Sequence, residues 1–407
     1  MRRPALLYLP HRIPYPPDKG DKIRSFHLLN TLTRLGEVDL VTHADDPRDL
    51  RHVEVLRESC RSVTVFPLPR WRSRLRAARA IFTGTPLSVA WMTRGLACDF
   101  VRELLAERRH EAVVVCSSQG MSYLPPELAA PVILDAVDVD SEKWTALSAG
   151  CAPSHWIAAL ESRRMRRFER AAHARAARVV LCTEREAALW RKLAGRERVV
   201  AITNGVALPA EVAPTARRTP GRLMFCGAMD YEPNVRAATL AATRILPELR
   251  RSNPAAHLVI VGRNPTESVR GLAALPGVSV TGEVPDIAPH LQSASVALVP
   301  LEVARGIQNK VLEAMAHGVP VLTTPAVASS FAEAALGALA VSPVSGMAAV
   351  TVELLGREAE RARLAAAGRA FVAEHHAWSR FDADFSNVLR ESMAEPAARS
   401  SEVRTCR

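Results

Sequence analysis

The stretch VALVPLEVARGIQNKVLEAMAHGVPVLTT, residues 296–324, has the form of a strand, a loop, a helix and a second strand. Its first and last segments, VALVP and VPVLTT, are short apolar runs of the kind found in buried strands. Between them, Val311, Leu312 and Met315 have the spacing of one helix face, in a helix that begins near Gln308. Strand and helix patterns that alternate in this way predict a unit of a parallel α/β sheet.

The same alternation extends along the whole chain and predicts two similar α/β halves. We expect seven strands in the first half and five in the second, at residues 5–9, 37–42, 62–66, 112–116, 132–135, 178–182 and 199–203, and at residues 222–226, 257–261, 278–282, 296–300 and 319–324. Residues 209–221 are rich in Pro, Thr and Ala and indicate a linker. The expected organisation is a first domain at 1–206, a second at 207–375, a helix at 376–395 that packs back on the first, and a disordered tail at 396–407.

Length and composition indicate a folded protein of two domains. The chain has 407 residues, more than the roughly 250–300 at which a single hydrophobic core stops growing. It contains no run of about 18 apolar residues, and its start, MRRPALLYLPHR, has too short an apolar stretch for a signal peptide, so we expect a cytoplasmic location. The seven cysteines are scattered and lack CxxC or Cys/His spacing, which predicts neither a disulfide framework nor a metal site.

Positive charge is concentrated in the first half. Residues 1–206 hold 33 Lys and Arg against 23 Asp and Glu, whereas residues 207–407 hold 20 against 19. The segments 69–80 and 161–178 are dense in Arg with interleaved aromatic residues, which favours either a phosphate-rich surface such as anionic lipid or solvated helix faces. No helix-turn-helix, zinc-finger or RNA-binding signature favours nucleic acid. The candidate acceptor or membrane contacts here are Arg74, Arg76, Arg163 and Arg167.

The loop after the first strand, PHRIPYPPDKG at residues 10–20, leads through a glycine into a helix. Backbone amides at a helix start can hold a phosphate, and Gly20 would allow close approach, with Lys22 adding charge. Lys19 and Arg24 are candidates to face an acceptor or a membrane. The alternative is an ordinary junction between loop and helix. The loop has no GxGxxG pattern, so a dinucleotide site is not predicted.

Three glycines of the second half follow strands: Gly227 in FCGAMD, Gly262 in VIVGRNP and Gly282 in VTGEVPD. Each alone can be explained by backbone conformation. Together they favour a ligand along the carboxyl edge of the second sheet, where open parallel sheets bind ligands. Arg263 and Glu283 follow two of these glycines and are further candidate contacts.

Lysine is rare in this chain, with five Lys against 48 Arg, and one of the five opens the helix of the quoted stretch. A compact ammonium approaches one oxygen, whereas a forked guanidinium spans two. Helix-start amides and Lys310 could bind a diphosphate, and Glu313, one turn further, could accept two hydrogen bonds from a ribose diol. The alternative is an ordinary Glu favoured by the helix dipole.

Several of these segments, in this order, resemble the GT-B glycosyltransferases of family four. KVLEAMAHGVPVLTT (310–324) is similar to their LEAMAxGxPVV segment, AITNGV (201–206) to their IPNGV, and VVLCTEREAALW (179–190) to the preceding strand and helix. PHRIPYPPDKGDKIRSFHLL (10–29), LDAVDVDSEKW (134–144) and RGIQNKVLEAMA (305–316) together resemble the sugar transferases associated with PEP-CTERM/exosortase exopolysaccharide systems.

The resemblance implies two Rossmann-like domains that face each other across a cleft, and a retaining, metal-independent hexosyl transfer from a UDP- or GDP-type sugar, with no other cofactor. The implied acceptor is a saccharide, which the basic first half favours as lipid-linked at the inner face of the membrane. By position, Glu313 matches the glutamate that contacts the ribose, and Asp138 lies where related enzymes place a His or Asp near the reacting carbon. The expected donor contacts are Gly20, Lys22, Gly227, Gly262, Arg263, Glu283, Gly306, Ile307, Asn309, Lys310 and Glu313.

The chain departs from the family pattern at two places. The family usually has two glutamates separated by seven residues, and Arg305 stands in place of the first. It also often has an Arg and a Lys after the first strand of the second domain, and GAMDYEPN (227–234) has neither. We hypothesise that Arg305 and Lys310 supply the missing cations to the leaving diphosphate, so that these two residues and Asp138 are the expected catalytic residues.

Other functions stay open at this stage. A sugar-nucleotide epimerase can share the two-domain architecture. A catalytically silent nucleotide-sugar sensor or a scaffold of a membrane polysaccharide complex would fit the altered glutamate pair. A nicotinamide dehydrogenase is the weakest alternative because its glycine fingerprint is missing.

Overall fold

The computed structural model describes residues 3–18, 20–93, 95–148, 155–212, 214, 218–304, 306–331 and 333–395. The expected sites Lys19 and Arg305 and the expected tail at 396–407 therefore lie outside the described residues. The chain divides into two compact units: one contains the chain up to Ile202 and from Asp382 onward, and the other is Thr203–Phe381.

The first unit is built on a sheet of seven parallel strands in the order β3-β2-β1-β4-β5-β6-β7. The strands are β1 Ala5–Leu9, β2 Glu37–Ala44, β3 Ser62–Pro67, β4 Ala112–Cys116, β5 Val132–Val137, β6 Arg178–Leu181 and β7 Val199–Ala201. All residues of β1 and β4 are buried, as expected for parallel strands covered on both faces.

Helices connect these strands, and short 3-10 turns lie at Pro47–His52 and Ser118–Tyr123. The helices are α1 Gly20–Leu35, α2 Val53–Arg57, α3 Arg70–Thr83, α4 Leu87–Met92, α5 Gly95–Glu107, α6 Asp140–Ser148, α7 His155–Arg175 and α8 Glu184–Ala194. The last helix of the chain, α17 at Trp378–Ala394, belongs to this unit from Asp382 onward, where Asp382 pairs with Arg34 of α1 at 2.6 Å.

The second unit contains six parallel strands in the order β10-β9-β8-β11-β12-β13. The strands are β8 Arg222–Cys226, β9 His257–Val261, β10 Val278–Gly282, β11 Val296–Val299, β12 Val321–Thr323 and β13 Leu339–Val341. The helices are α9 Glu232–Leu240, α10 Leu246–Ser252, α11 Glu267–Gly271, α12 Ala288–Ser293, α13 Asn309–Ala316, α14 Pro325–Ala328, α15 Met347–Gly356 and α16 Glu358–His375. A π-helical turn at Ala241–Ile245 joins α9 to α10.

The two parallel sheets confirm the predicted fold class, and all twelve expected strands are present with their ends shifted by a few residues. The strand β13 was missed, because its three residues, Leu-Ala-Val, lie in a run of small apolar residues without a strand-length pattern. The unit predicted from the opening stretch is confirmed as β11, α13 and β12, with Val311, Leu312 and Met315 buried.

Candidate functional site

The strand order of the second sheet reverses between β8 and β11, which are neighbours although the strands β9 and β10 lie between them in sequence. At such a switch point the loops that follow the two strands lead in opposite directions and leave a crevice at the carboxyl edge. Here those loops begin at Gly227 and at Pro300, and the second of them leads into α13. The structure therefore brings Gly227 and the first turn of α13 to one place.

Two glycines at this edge leave no room for a side chain. Their φ angles are 156° at Gly227 and 154° at Gly262, a conformation that L side chains rarely adopt. A Cβ atom on Gly262 would lie 1.7 Å from the carbonyl oxygen of Gly227. A Cβ atom on Gly227 would lie 2.7 Å from Nδ2 of Asn234 and 3.1 Å from Nζ of Lys310. The glycines thus allow backbone and the Lys310 ammonium to meet at the end of β8.

The Lys310 side chain runs from the first turn of α13 toward β8. Its Nζ atom donates to Oδ1 of Asn234 at 2.5 Å and lies 4.7 Å from the ring centroid of Phe225. Asn234 is oriented in turn, because its Nδ2 atom donates to the Ala228 carbonyl oxygen at 3.0 Å. Burial lowers the pKa of Lys310 to about 8, against the opposing charges of Cys226 and Glu313. The ammonium is thus held by neutral groups in a desolvated place.

Glu313 lies one turn further along α13. Burial raises the pKa of its carboxyl to about 7, although the charge of Lys310 opposes this shift. Among the described residues its carboxylate has no hydrogen-bond partner, and its side chain is only partly buried. A partly desolvated carboxylate of this kind gains when a ligand donates hydrogen bonds to it.

The start of α13 is also tied to the beginning of the second unit. Oδ1 of Asn309 accepts a hydrogen bond from Nδ2 of Asn204 at 3.0 Å. The next residue, Gly205, packs so closely on Trp378 that a Cβ atom would lie 2.4 Å from the indole ring. The backbone of Val206 donates to the carbonyl oxygen of His376 at 2.7 Å. The residues Asn204, Gly205 and Val206 thus connect the beginning of the second unit to the start of α13 and to the segment around His376.

The other expected donor contacts of the second unit are less concentrated. Gly306, with φ 59°, is buried, and Ile307 packs against the hydrophobic core. Arg263 follows β9 and is partly buried, whereas Glu283 follows the edge strand β10 and is exposed. The structure brings Gly227, Gly262, Asn309, Lys310 and Glu313 together and leaves Glu283 at the margin of the sheet.

In the first unit, two predicted ligand contacts prove to be structural. Lys22 is 1% exposed, and its Nζ atom lies 2.7 Å from Asp49 and 3.6 Å from Asp18, so it neutralises carboxylates instead of a donor phosphate. Arg24 is also 1% exposed and forms a forked ion pair with Asp135 at 2.7–3.1 Å. Its expected contact with an acceptor or membrane is wrong, because the guanidinium lies inside the unit.

Four other predicted residues of this unit, Gly20, Arg74, Arg163 and Arg167, lie at its surface. Gly20 is the exposed first residue of α1, and Asp21 beside it binds His11 at 2.9 Å and Arg12 at 3.0 Å. Arg74 of α3 is exposed, as are Arg163 and Arg167 of α7. Arg76 is half-buried and donates to the carbonyl oxygens of Ala90 and Trp91, which gives it a structural role.

Asp138 lies just after β5, in a polar cluster at the carboxyl edge of the first sheet. Its carboxylate pairs with Lys143 at 3.2 Å and accepts a hydrogen bond from the Cys182 thiol at 3.1 Å. Lys143 also binds Asp140 at 3.1 Å, and these carboxylates raise its pKa above the usual value although burial alone would lower it. Lys143 therefore stays charged and fixes Asp138.

The neighbouring backbone is unusual. Ser117 after β4 and Val137 at the end of β5 have φ angles of 70° and 68°, a left-handed conformation that is costly for a β-branched residue. Such strain concentrates at functional sites. The partners Asn234, Lys143 and Gln119, whose Nε2 atom donates to Asp140 at 3.0 Å, were not predicted as site residues. Only Lys143 carried a signal in the sequence, as a rare lysine after a strand.

Within the described residues, no group of three or more His, Cys, Asp and Glu side chains could hold a metal ion. In the same residues, no helix is both long and apolar enough to span a bilayer.

Residues 220–357 match the protein family described as "Glycosyl transferases group 1". No curated protein sequence matches the chain. Among solved structures, sucrose-phosphate synthase from Thermosynechococcus elongatus is similar at 17% identity and TM-score 0.69, over 96% of this chain and 99% of that one. Anabaena Alr3699/HepE in complex with UDP is similar at 12% identity and TM-score 0.64, over 96% of this chain and 100% of that one.

WaaG, a glycosyltransferase involved in lipopolysaccharide biosynthesis, is similar at 18% identity and TM-score 0.64, over 94% of this chain and 99% of that one. At such identities the likeness concerns the fold. The chain therefore has the two-sheet GT-B fold of glycosyltransferases, and its residues 220–357 carry the group 1 signature.

Proposed function

We propose that this protein is a retaining glycosyltransferase that moves a hexosyl group from a nucleoside-diphosphate sugar to a saccharide acceptor carried on a lipid. The family match of residues 220–357 supports a transferase that uses an activated sugar. The likeness to HepE in complex with UDP favours a uracil nucleotide. The likeness to WaaG, which is involved in lipopolysaccharide biosynthesis, and the basic first half of the chain support a lipid-borne acceptor at the cytoplasmic face of the membrane. The assignment to exopolysaccharide synthesis rests on the resemblance of residues 10–29, 134–144 and 305–316 given above.

The observation that carries the proposal is the arrangement of Lys310, Asn234 and Glu313 at the switch point between β8 and β11. The ammonium of Lys310 is desolvated and lies beside Gly227: a Cβ atom at this glycine would be 3.1 Å from Nζ. Because Gly227 has no side chain, a diphosphate could approach the backbone here. Glu313, on the same helix, has a carboxylate ready to accept from a ribose diol. Cation and carboxylate are thus spaced along one helix for the two ends of a ribose diphosphate.

The proposed transfer requires stabilisation of the negative charge that develops on the leaving diphosphate. As the bond between the anomeric carbon and the diphosphate oxygen breaks, its electron pair goes to that oxygen, and the acceptor hydroxyl oxygen forms the new bond. The hydroxyl proton is passed to the departing diphosphate, so that charges balance. Fixed cations and amides aimed at the leaving oxygen are commonly the largest catalytic contribution. We assign this role to Lys310 and to the amides that open α13, with Arg305 as a further candidate, and we propose that no metal is required.

Asp138 is our candidate for the group at the reacting carbon. Its ion pair with Lys143 holds it in one orientation at the carboxyl edge of the first sheet. An ionised carboxylate there would stabilise the positive charge that develops on the sugar ring. We do not assign it as a nucleophile.

The test is a calorimetric titration of the full chain with UDP, GDP and ADP, repeated with Glu313→Ala for the best ligand. Hydrogen bonds to a charged group contribute about 1.5–3 kcal/mol each, so loss of the ribose contact should weaken binding about tenfold or more. Glu248→Ala, at an exposed glutamate of α10, is the matched control and should bind normally. If none of the three nucleotides binds, the nucleotide-sugar proposal is wrong.

Turnover separates the proposed function from its alternatives. A transferase releases nucleoside diphosphate faster when an acceptor is added. A silent scaffold would bind the donor without turnover, and an epimerase would convert the donor without an acceptor.

A further inference from the structure

The charged residues in the segment 59–98 are all positive. These 40 residues contain seven Arg and neither Asp nor Glu. They include α3, residues Arg70–Thr83, which ends at Gly84 in the left-handed conformation, with φ 75°. Within this segment, Arg61 is paired with Asp39 and Glu37 and Arg76 is bound to backbone carbonyls, whereas Arg72, Arg74 and Arg79 of α3 are exposed.

The helix α3 presents its apolar side to solvent. Trp71, Leu75, Ala78 and Phe82 follow the i, i+4, i+7, i+11 spacing of one helix face, and all four are exposed. The exposed fractions are 60% for Trp71, 58% for Leu75 and 90% for Phe82. The residues that α3 buries are Ser73 and Ala80, which are small. A surface helix normally turns its large apolar residues inward, so this helix is inverted.

Arginines border this apolar stripe on both sides. Arg72 and Arg79 lie along one side and Arg74 along the other, and all three are exposed. The end of α3 is fixed to the unit by Arg164 of α7, whose guanidinium binds the carbonyl oxygens of Ala80 at 2.8 Å and Ile81 at 2.7 Å. The exposed Arg163 next to it adds a further cation near this end.

We propose that α3 docks the protein on an anionic lipid bilayer. In the docked state Trp71, Leu75 and Phe82 enter the boundary between headgroups and acyl chains, while Arg72, Arg74 and Arg79 meet the lipid phosphates. A helix with an apolar stripe and a cationic border lies in the plane of such an interface. The 14 residues of α3 are about 21 Å long, which suits a helix lying flat on the surface.

Docking on a bilayer does not require the proposed transfer reaction. This proposal rests on the proposed function only for the purpose of docking, which is to bring the protein to a lipid-borne acceptor. Of the contacts expected from the sequence, Arg74 belongs to this surface, whereas Arg24 and Arg76 bind within the unit. Docking depends on α3, whereas donor binding depends on α13, so the two can fail separately.

The experiment is sedimentation of the full chain with vesicles, either of phosphatidylcholine alone or with about one third phosphatidylglycerol. We expect binding to the anionic vesicles that weakens as salt is raised, because exposed charges are screened. The double variant Leu75→Ser/Phe82→Ser should lower the partition coefficient about tenfold or more, since it removes the inserted apolar area. Arg72→Gln/Arg79→Gln should remove most of the preference for anionic vesicles.

The matched control is Leu50→Ser, at a 44% exposed leucine of the same unit that lies outside α3. It should bind vesicles as the unaltered chain does. UDP affinity, measured on every variant, should stay unchanged and reports the donor site independently. If Leu75→Ser/Phe82→Ser sediments with anionic vesicles like the unaltered protein, the docking surface is wrong. It is equally wrong if the chain dimerises without lipid and that double variant makes it monomeric, because a second copy then covers the stripe.

Discussion

The Nζ atom of Lys310 lies 2.5 Å from Oδ1 of Asn234, and no carboxylate of the described residues forms an ion pair with it. Two other lysines, Lys22 and Lys143, are each neutralised by aspartates. A neutral partner orients an ammonium without cancelling its charge, so the charge remains available to an anion. We propose that this available charge is the reason why a chain with 48 Arg has a Lys at the start of α13.

Replacing Lys310 should abolish most of the turnover. We expect Lys310→Ala to lower kcat by about 100-fold or more, since removing one preorganised donor to a developing anion typically has an effect of this size. Lys310→Arg should not restore activity, because the larger fork would have to fit beside Gly227, against which Nζ already lies closely.

Steady-state kinetics with the best donor would measure these changes, with Lys192→Ala, at an exposed lysine of α8, as the control. A kcat of Lys310→Ala within a few fold of the unaltered enzyme would show that the diphosphate cation has not moved to this loop.

Nucleotide affinity should depend on pH with a maximum between about 7 and 8. Below this range Glu313, whose pKa burial raises to about 7, becomes protonated and loses acceptor capacity for the ribose. Above it Lys310, whose pKa burial lowers to about 8, loses its proton and its attraction for the diphosphate. Calorimetry with UDP from about pH 5.5 to 9.5, in steps of about half a pH unit, would measure the acid limb, where affinity falls below this range, and the basic limb, where it falls above.

Two controls assign the limbs. Glu313→Gln should remove the acid limb, because the amide does not titrate. Uridine, which has the ribose but no phosphate, should keep the acid limb and lack the basic one. A UDP affinity that is flat across the whole range would contradict both assignments.

The sequence was sufficient to predict the fold class and to name some of the residues that the structure brings together at the candidate site. Strands such as Ala5–Leu9 and Arg222–Cys226 were predicted from short apolar runs, because a parallel strand covered on both faces needs continuous apolarity. Lys310 and Glu313 were predicted from their position after a strand. Asn234 was not, because an asparagine in an ordinary first helical turn carries no pattern of its own.

Long-range pairing explains the predictions that failed. Arg24 was taken as a surface cation, but Asp135, 111 residues away in sequence, accepts its guanidinium inside the unit. Lys22 likewise forms an ion pair with Asp49, which is 27 residues away in sequence. The neighbouring sequence does not distinguish an exposed Arg from a buried Arg whose ion-pair partner is distant in sequence.

Gly262→Ala should destabilise the second unit. The new Cβ would lie 1.7 Å from the Gly227 carbonyl oxygen, and the φ of 154° is strained for alanine, so backbone must shift. We expect a loss of about 2–4 kcal/mol in the free energy of unfolding, together with weaker UDP binding. Gly271→Ala is the matched control, since its Cβ meets nothing within 4 Å. Urea denaturation would measure both; equal stability of the two variants would refute the close packing of these strand ends.

The Arg24–Asp135 pair gives a prediction for the first unit. Asp135 is fully buried and Arg24 nearly so, and Arg24 also donates to the carbonyl oxygen of Ile202 at 2.8 Å. Asp135→Ala should cost about 3–5 kcal/mol of unfolding free energy, because it leaves a buried guanidinium without its counter-charge. The double variant Arg24→Met/Asp135→Leu should cost much less, since no uncompensated charge remains.

Urea denaturation of both variants would measure these losses of unfolding free energy. Glu54→Ala, at an exposed pair with Arg57, is the control and should change the stability little. A double variant as unstable as Asp135→Ala would mean that the hydrogen bond to Ile202, and not charge compensation, is what the pair contributes.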